Sequence, residues 1–123
     1  MNVNEIQSSY RSSPAQAESD IDLPAIEGDT TRRILRITTR KYEGRGLVSA
    51  AQVLEIEEGM TRFAIFGDYR AIIRSQRLKA TERNVRAEHA LALEAVPALL
   101  EAAHAYYAAR QRNAMATALP APV

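Results

Sequence analysis

The chain has no cysteine and no tryptophan. Without thiols there is no disulfide framework, no thiolate metal site and no cysteine nucleophile. No stretch approaches the ~18 consecutive apolar residues that span a bilayer. No basic segment followed by an apolar run opens the chain, so no secretory signal is visible and a cytoplasmic location is expected. The serine-hydrolase elbow, the phosphate-binding loop, the dinucleotide fingerprint and the zinc-protease motif are all missing. Gly44-Arg45-Gly46 is too short to cradle a phosphate and reads as a turn. Histidine occurs only at 89 and 104. On one helix those rings would stand ~22 Å apart, too far to share a metal. Glu101 and His104 have the spacing of half a di-metal site, but the other half is not in phase. These absences argue against an enzyme and against any cofactor or metal.

What is present is an uneven charge distribution. Residues 1–30 carry six acidic side chains against Arg11 alone. Residues 31–123 carry fifteen Lys and Arg against nine Asp and Glu. The 123 residues suit a single domain. Its abundant alanine suggests a bacterial source with GC-rich DNA. The first thirty residues are rich in Ser, Ala, Asp and Glu, with Pro14 and Pro24. They show no sustained period and little apolar surface to offset ordering entropy, so a disordered acidic arm is expected. Within it, Leu23 and Ile26 offer a short extended docking segment. A sharper role for the arm is to fold over the basic body and compete with its ligand.

Residues 31–74 read as an antiparallel meander of three or four strands. From Thr31 to Tyr42, Leu35, Ile37 and Thr39 alternate with Arg32, Ile34, Arg36, Thr38, Arg40 and Tyr42. Leu47 to Glu57 and Met60 to Phe66 continue the pattern, and Tyr69 to Arg74 is the candidate fourth strand. Two-residue loops at Gly44-Arg45 and Glu58-Gly59 would set Leu35 against Leu54 and Ile37 against Gln52. Val48, Leu54, Ile56, Phe63 and Ile65 would then join Leu35 and Ile37 on the core face, leaving Val53 outside.

Residues 81–112 read as one long helix packed on that sheet, in an α+β fold. Thr81 is its N-cap and Glu82 suits the first turn. Val85, His89, Ala92, Val96, Leu100, Ala103 and Tyr107 form its apolar face, widened by Leu93, Leu99 and Tyr106. The phase runs through Pro97, which predicts a kinked helix rather than two. At 1.5 Å per residue it would run ~46 Å, against ~23–33 Å for a strand. The surplus face at Leu99, Leu100, Ala103, Tyr106 and Tyr107 predicts a homodimer. Residues 113–123 are expected to be a frayed tail.

The remaining signal is the outer sheet face. Arg36, Arg40, Arg62 and Arg74 are the predicted phosphate contacts, and Tyr42, Phe66 and Tyr69 the stacking residues. The expected function is a small non-enzymatic binding or regulatory protein for an acidic partner, nucleic acid first. The alternative is an inhibitor or adaptor centred on Val53, Phe66 and Tyr69, with Arg as the rim. An enzyme of unknown class comes third.

Overall fold

The computed structural model describes residues 1–57, 60–63 and 71–118. Among them six strands and two α-helices follow in order. They are β1 (Ser9–Ser12), β2 (Ala15–Asp22), β3 (Arg32–Tyr42), β4 (Gly46–Glu57), β5 (Met60–Phe63), β6 (Ala71–Gln76), α1 (Glu82–Leu93) and α2 (Val96–Ala118). The strands form one antiparallel sheet in the order β1-β2-β3-β4, with β5 and β6 both paired to β4. β5 takes the Leu54–Glu57 part of the β4 edge, and β6 takes Leu47–Ala51. The fourth strand of the predicted meander thus returns to β4, with a bulge between Ser49 and Ala50.

The acidic stretch is not a disordered arm. β2 alternates Ala17, Ser19 and Ile21 with Glu18, Asp20 and Asp22, and pairs along β3 from Gln16↔Arg40 to Asp22↔Ile34. Two of its three inward residues, Ala17 and Ser19, are small, so the period is faint on a hydrophobicity count, yet both are buried. Its outward carboxylates meet the arginines of β3. The charge asymmetry of the sequence is therefore, in large part, an internal cross-strand ladder.

The hairpin register differs from the expected one by a single residue. Tyr42 pairs with Gly46, so the loop has three residues, and Leu35 faces Val53 while Ile37 faces Ala51. Gly44 and Gly46 both take positive φ, and the Arg45 N–H donates to the Tyr42 carbonyl at 3.0 Å. A one-residue slip moves every β4 side chain to the other face. Val53 accordingly lies in the helix-covered core with Leu35, Ile37 and Ala51. Val48, Ala50 and Leu54 are on the opposite face, and they and Ile34 are buried as well. β4 is therefore apolar on both sides, and the centre of the outer face is not an open platform.

α1 starts where expected. The Thr81 side chain accepts from the Asn84 N–H at 3.1 Å. The single kinked helix is corrected to two helices. After Leu93 the chain makes a tight turn, with Glu94 and Ala95 donating back to Leu91 and Ala92. Pro97 then falls in the first turn of α2, where its missing N–H removes no helical bond. α2 continues past Arg112 to Ala118, so the frayed tail does not begin at 113.

The helices bury Ala92, Leu93, Val96, Leu100, Ala103 and Tyr107 against Leu35, Ile37, Ala51 and Val53. The apolar surplus assigned to a second copy is covered by the chain's own Leu23–Asp29 segment. Leu23 and Ile26 pack on this core, and Gln111 Nε2 donates to the Gly28 carbonyl at 2.7 Å. Leu100, Ala103 and Tyr107 are thus internal core residues and not a dimer surface. Leu99 is half-buried against the core, and Tyr106 is exposed, edge-on to Tyr107 at 5.0 Å. No described helix is long and apolar enough to cross a membrane.

Candidate functional site

The arginines of the outer face are mostly spoken for. Asp20 accepts from Arg36 Nε at 2.8 Å and from its NH2 at 2.9 Å, and Glu18 stands 3.4 Å away. Those hydrogen bonds, above the other influences, raise the guanidinium pKa from its already high value. Asp22 accepts from Arg32 at 2.8 Å. Arg74 lies on the other side of the sheet and donates to the buried Glu88 of α1 at 2.9 Å, a bond that raises its pKa too. Arg36 and Arg74 are therefore structural ion pairs rather than open phosphate contacts. β5 sets Arg62 opposite Glu55, in the row of Arg33 rather than that of Arg36 and Arg40. Phe66 and Tyr69 lie outside the described residues. Arg40 and Tyr42 do come together: the guanidinium sits 4.5 Å over the ring and donates to the phenol oxygen at 2.9 Å.

A different grouping emerges at one end of the sheet. Register places Arg11 beside Gln16, Gln16 beside Arg40, and Lys41 beside Leu47, which pairs with Gln76. Arg45 tips the adjoining hairpin, and Arg77 and Lys79 follow Gln76. All six of these cations are exposed, and none makes an ion pair with a described carboxylate. Gly46 holds the grouping together. Its φ is +76°, and a Cβ there would run into the Gln76 carbonyl oxygen and sit 2.8 Å from Arg77 Cα. Only glycine lets the hairpin lie this close to the chain leaving β6. The arrangement gathers cations at one end of the sheet, with Arg40 and Lys41 at successive positions on opposite faces of β3 and one Arg–Tyr stack among them, suited to a polyanion.

A second constellation is buried under α1. His89 is 2% exposed. Its Nε2 lies 2.8 Å from Ser19 Oγ and its Nδ1 2.9 Å from Thr39 Oγ1. Thr39 continues to Ser49 at 2.7 Å, and Ser19 to Ser8 at 2.8 Å. Burial pushes the imidazole down to a pKa of about 4, so it is neutral at pH 7. Ser19 and His89 have nucleophile–base spacing, but Ser19 is closed off from solvent and Nδ1 meets a hydroxyl rather than a carboxylate. The chain of hydroxyls around a neutral imidazole ties α1 to β2, β3 and β4.

Sequence reasoning named Arg40 and Tyr42. It missed Arg11, Lys41 and the tip residue Arg45, because their proximity depends on three separate turns meeting. The one local hint was Arg45 flanked by two glycines. Comparison with protein-family models, with curated proteins and with solved structures gives no match.

Proposed function

We propose that this is a small non-enzymatic binding protein that engages a polyanion, nucleic acid first, through the basic end of its sheet. Arg40, Lys41, Arg45, Arg77 and Lys79 make phosphate contacts, and Tyr42 offers a stacking surface beside Arg40. Arg11 stands at the rim. The single observation that carries this reading is the contrast in pairing. Arg32, Arg36 and Arg74 are matched to carboxylates, whereas six exposed cations gathered at one end are paired with no carboxylate among the described residues. Like charges gathered at one end of the sheet raise a local potential that attracts phosphate and releases its counterions.

The test is fluorescence anisotropy with labelled single-stranded DNA, duplex DNA and RNA, at 50 and 200 mM salt. Five phosphate contacts give a fourfold salt increase an affinity loss of ~500-fold on duplex and ~100-fold on single strands. Arg45→Glu with Lys79→Glu should abolish binding at both salts. No binding by the natural chain at 50 mM salt would overturn the reading. A tight but salt-insensitive protein complex on the same surface would instead favour an adaptor or inhibitor.

A further inference from the structure

A cavity of about 350 Å³ opens between the N-terminal segment and α1. Val3, Ile6, Ala17, Leu91 and Leu93 give it apolar walls, with Asn4, Ser8, Arg86, His89 and Glu94 as polar groups. An apolar cavity of ~150 Å³ accepts benzene, so this one has room for roughly ten to fourteen heavy atoms. Apolar walls with a few convergent polar groups are the usual make-up of a small-molecule site.

Charge is distributed unevenly along it. Arg86 and Glu94 are eight residues apart in sequence, which is ~12 Å along a helix axis, so the cation and the anion mark opposite ends. Arg86 is well exposed, stacks 4.8 Å over the Tyr10 ring, and has Glu82 only at 3.7 Å, beyond hydrogen-bond length. Its planar fork is thus held by an aromatic face, with Glu82 as a loose ion-pair partner, and no hydrogen bond to a carboxylate among the described residues occupies its N–H groups. Ser8 lines the same cavity, with its hydroxyl anchored to Ser19. The nitrogens of His89 are committed to Ser19 and Thr39, so the ring adds a fixed wall rather than a metal ligand.

We propose that this cavity binds a small amphipathic carboxylate of about ten heavy atoms. The carboxylate lies between Arg86 and Ser8, and the apolar tail lies along Ile6, Leu91 and Leu93 toward the Glu94 end. Arg86 is not among the six cations of the basic end, though the Tyr10 ring it stacks on precedes Arg11.

The test uses octanoate, octanol and octylammonium as probes, with calorimetry and amide NMR shifts on the full chain. Octanoate should bind and shift Ser8, Arg86 and Ala90. Octanol should bind ~10–100-fold more weakly, since a charge-assisted hydrogen bond contributes about 1.5–3 kcal/mol. Octylammonium should bind more weakly still. Arg86→Gln should reduce octanoate to the level of octanol. Ala90 is an exposed residue at the cavity wall, so Ala90→Phe should block all three probes while the unfolding temperature is retained. Equal binding of the three probes, octanoate shifts that survive Ala90→Phe, or no octanoate binding at millimolar concentration would each overturn the proposal.

Discussion

Asp20 and Arg36 form a two-point ion pair, Nε to Oδ1 at 2.8 Å and NH2 to Oδ2 at 2.9 Å, across adjacent strands. It joins the segment where acidic residues concentrate to the segment where basic ones begin. A reading of the chain by charge alone leaves the basic half to an outside partner, with the acidic arm as that partner's competitor. The pair turns much of that charge inward.

Breaking this pair should have a modest effect on stability. Both side chains are about a third exposed, 32% and 39%, so solvent screens much of the attraction. Asp20→Asn should lose about 0.5–1 kcal/mol in urea unfolding, the upper end reflecting the bidentate geometry. A double-mutant cycle with Arg36→Gln should return a coupling of similar size. A coupling near zero would make the pair decorative.

The two hairpin glycines should respond differently to alanine. Both have positive φ, but a Cβ at Gly44 meets nothing within 4 Å, whereas one at Gly46 collides with the backbone leaving β6. Gly44→Ala should cost ~1–2 kcal/mol for the left-handed conformation alone. Gly46→Ala should cost more, ~2–4 kcal/mol, because strain and collision add. Thermal unfolding of both variants checks the order. Gly46→Ala should also weaken polyanion binding, since it moves Arg45 away from Arg77 and Lys79.

Acid should destabilise the fold through His89. Its folded pKa is about 4, against 6.5 for an unperturbed imidazole. A depressed histidine pKa means the unfolded chain binds the proton more readily. Stability is therefore intact above pH 6.5 and falls between 6.5 and about 4. Moving from pH 7.5 to 4.5 should remove ~2–3 kcal/mol through this group. His89→Gln should be less stable at pH 7.5 but should lack this slope. Asp29 acts in a lower window. Burial works to raise its pKa, but hydrogen bonds from Arg33 and Thr31 outweigh that and lower it below 3.8. Its contribution is present above that value and disappears as pH falls through the folded pKa.

Tyr107 should be the most sensitive position on α2. It is 1% exposed, with the Arg33 guanidinium 4.1 Å over its ring. Burial, first among the causes, pushes its phenol up to about 12. Tyr107→Ala should cost ~3–5 kcal/mol in urea unfolding, as for other large-to-small core changes. Tyr106→Ala, one residue earlier on the exposed side, should cost under ~1 kcal/mol.

Some of this architecture follows from sequence alone because its causes are local. β3 announces itself by alternating branched and polar residues, and α1 by the Thr81 cap and an apolar step of three and four. The α+β class and the burial of His89, Val96, Leu100 and Tyr107 are consequences of those periods. Sequence likewise shows that unlike charges are segregated along the chain. It does not show whether they meet each other or a partner.

Tertiary structure decided the rest, because the deciding terms act between residues far apart in the chain. β2 is a strand because β3 supplies backbone partners and arginines for a segment whose inward Ala17 and Ser19 are too small to signal one. The hairpin register rests on one extra loop residue, which local turn preference does not resolve but which assigns Val53 to the core. The exposed length of α2 has no cover until Leu23 and Ile26 pack against it. The candidate binding site exists only because Gly46 lets two basic turns lie side by side. Each of these is a long-range contact offsetting local entropy, and a single strand of sequence carries no direct record of such contacts.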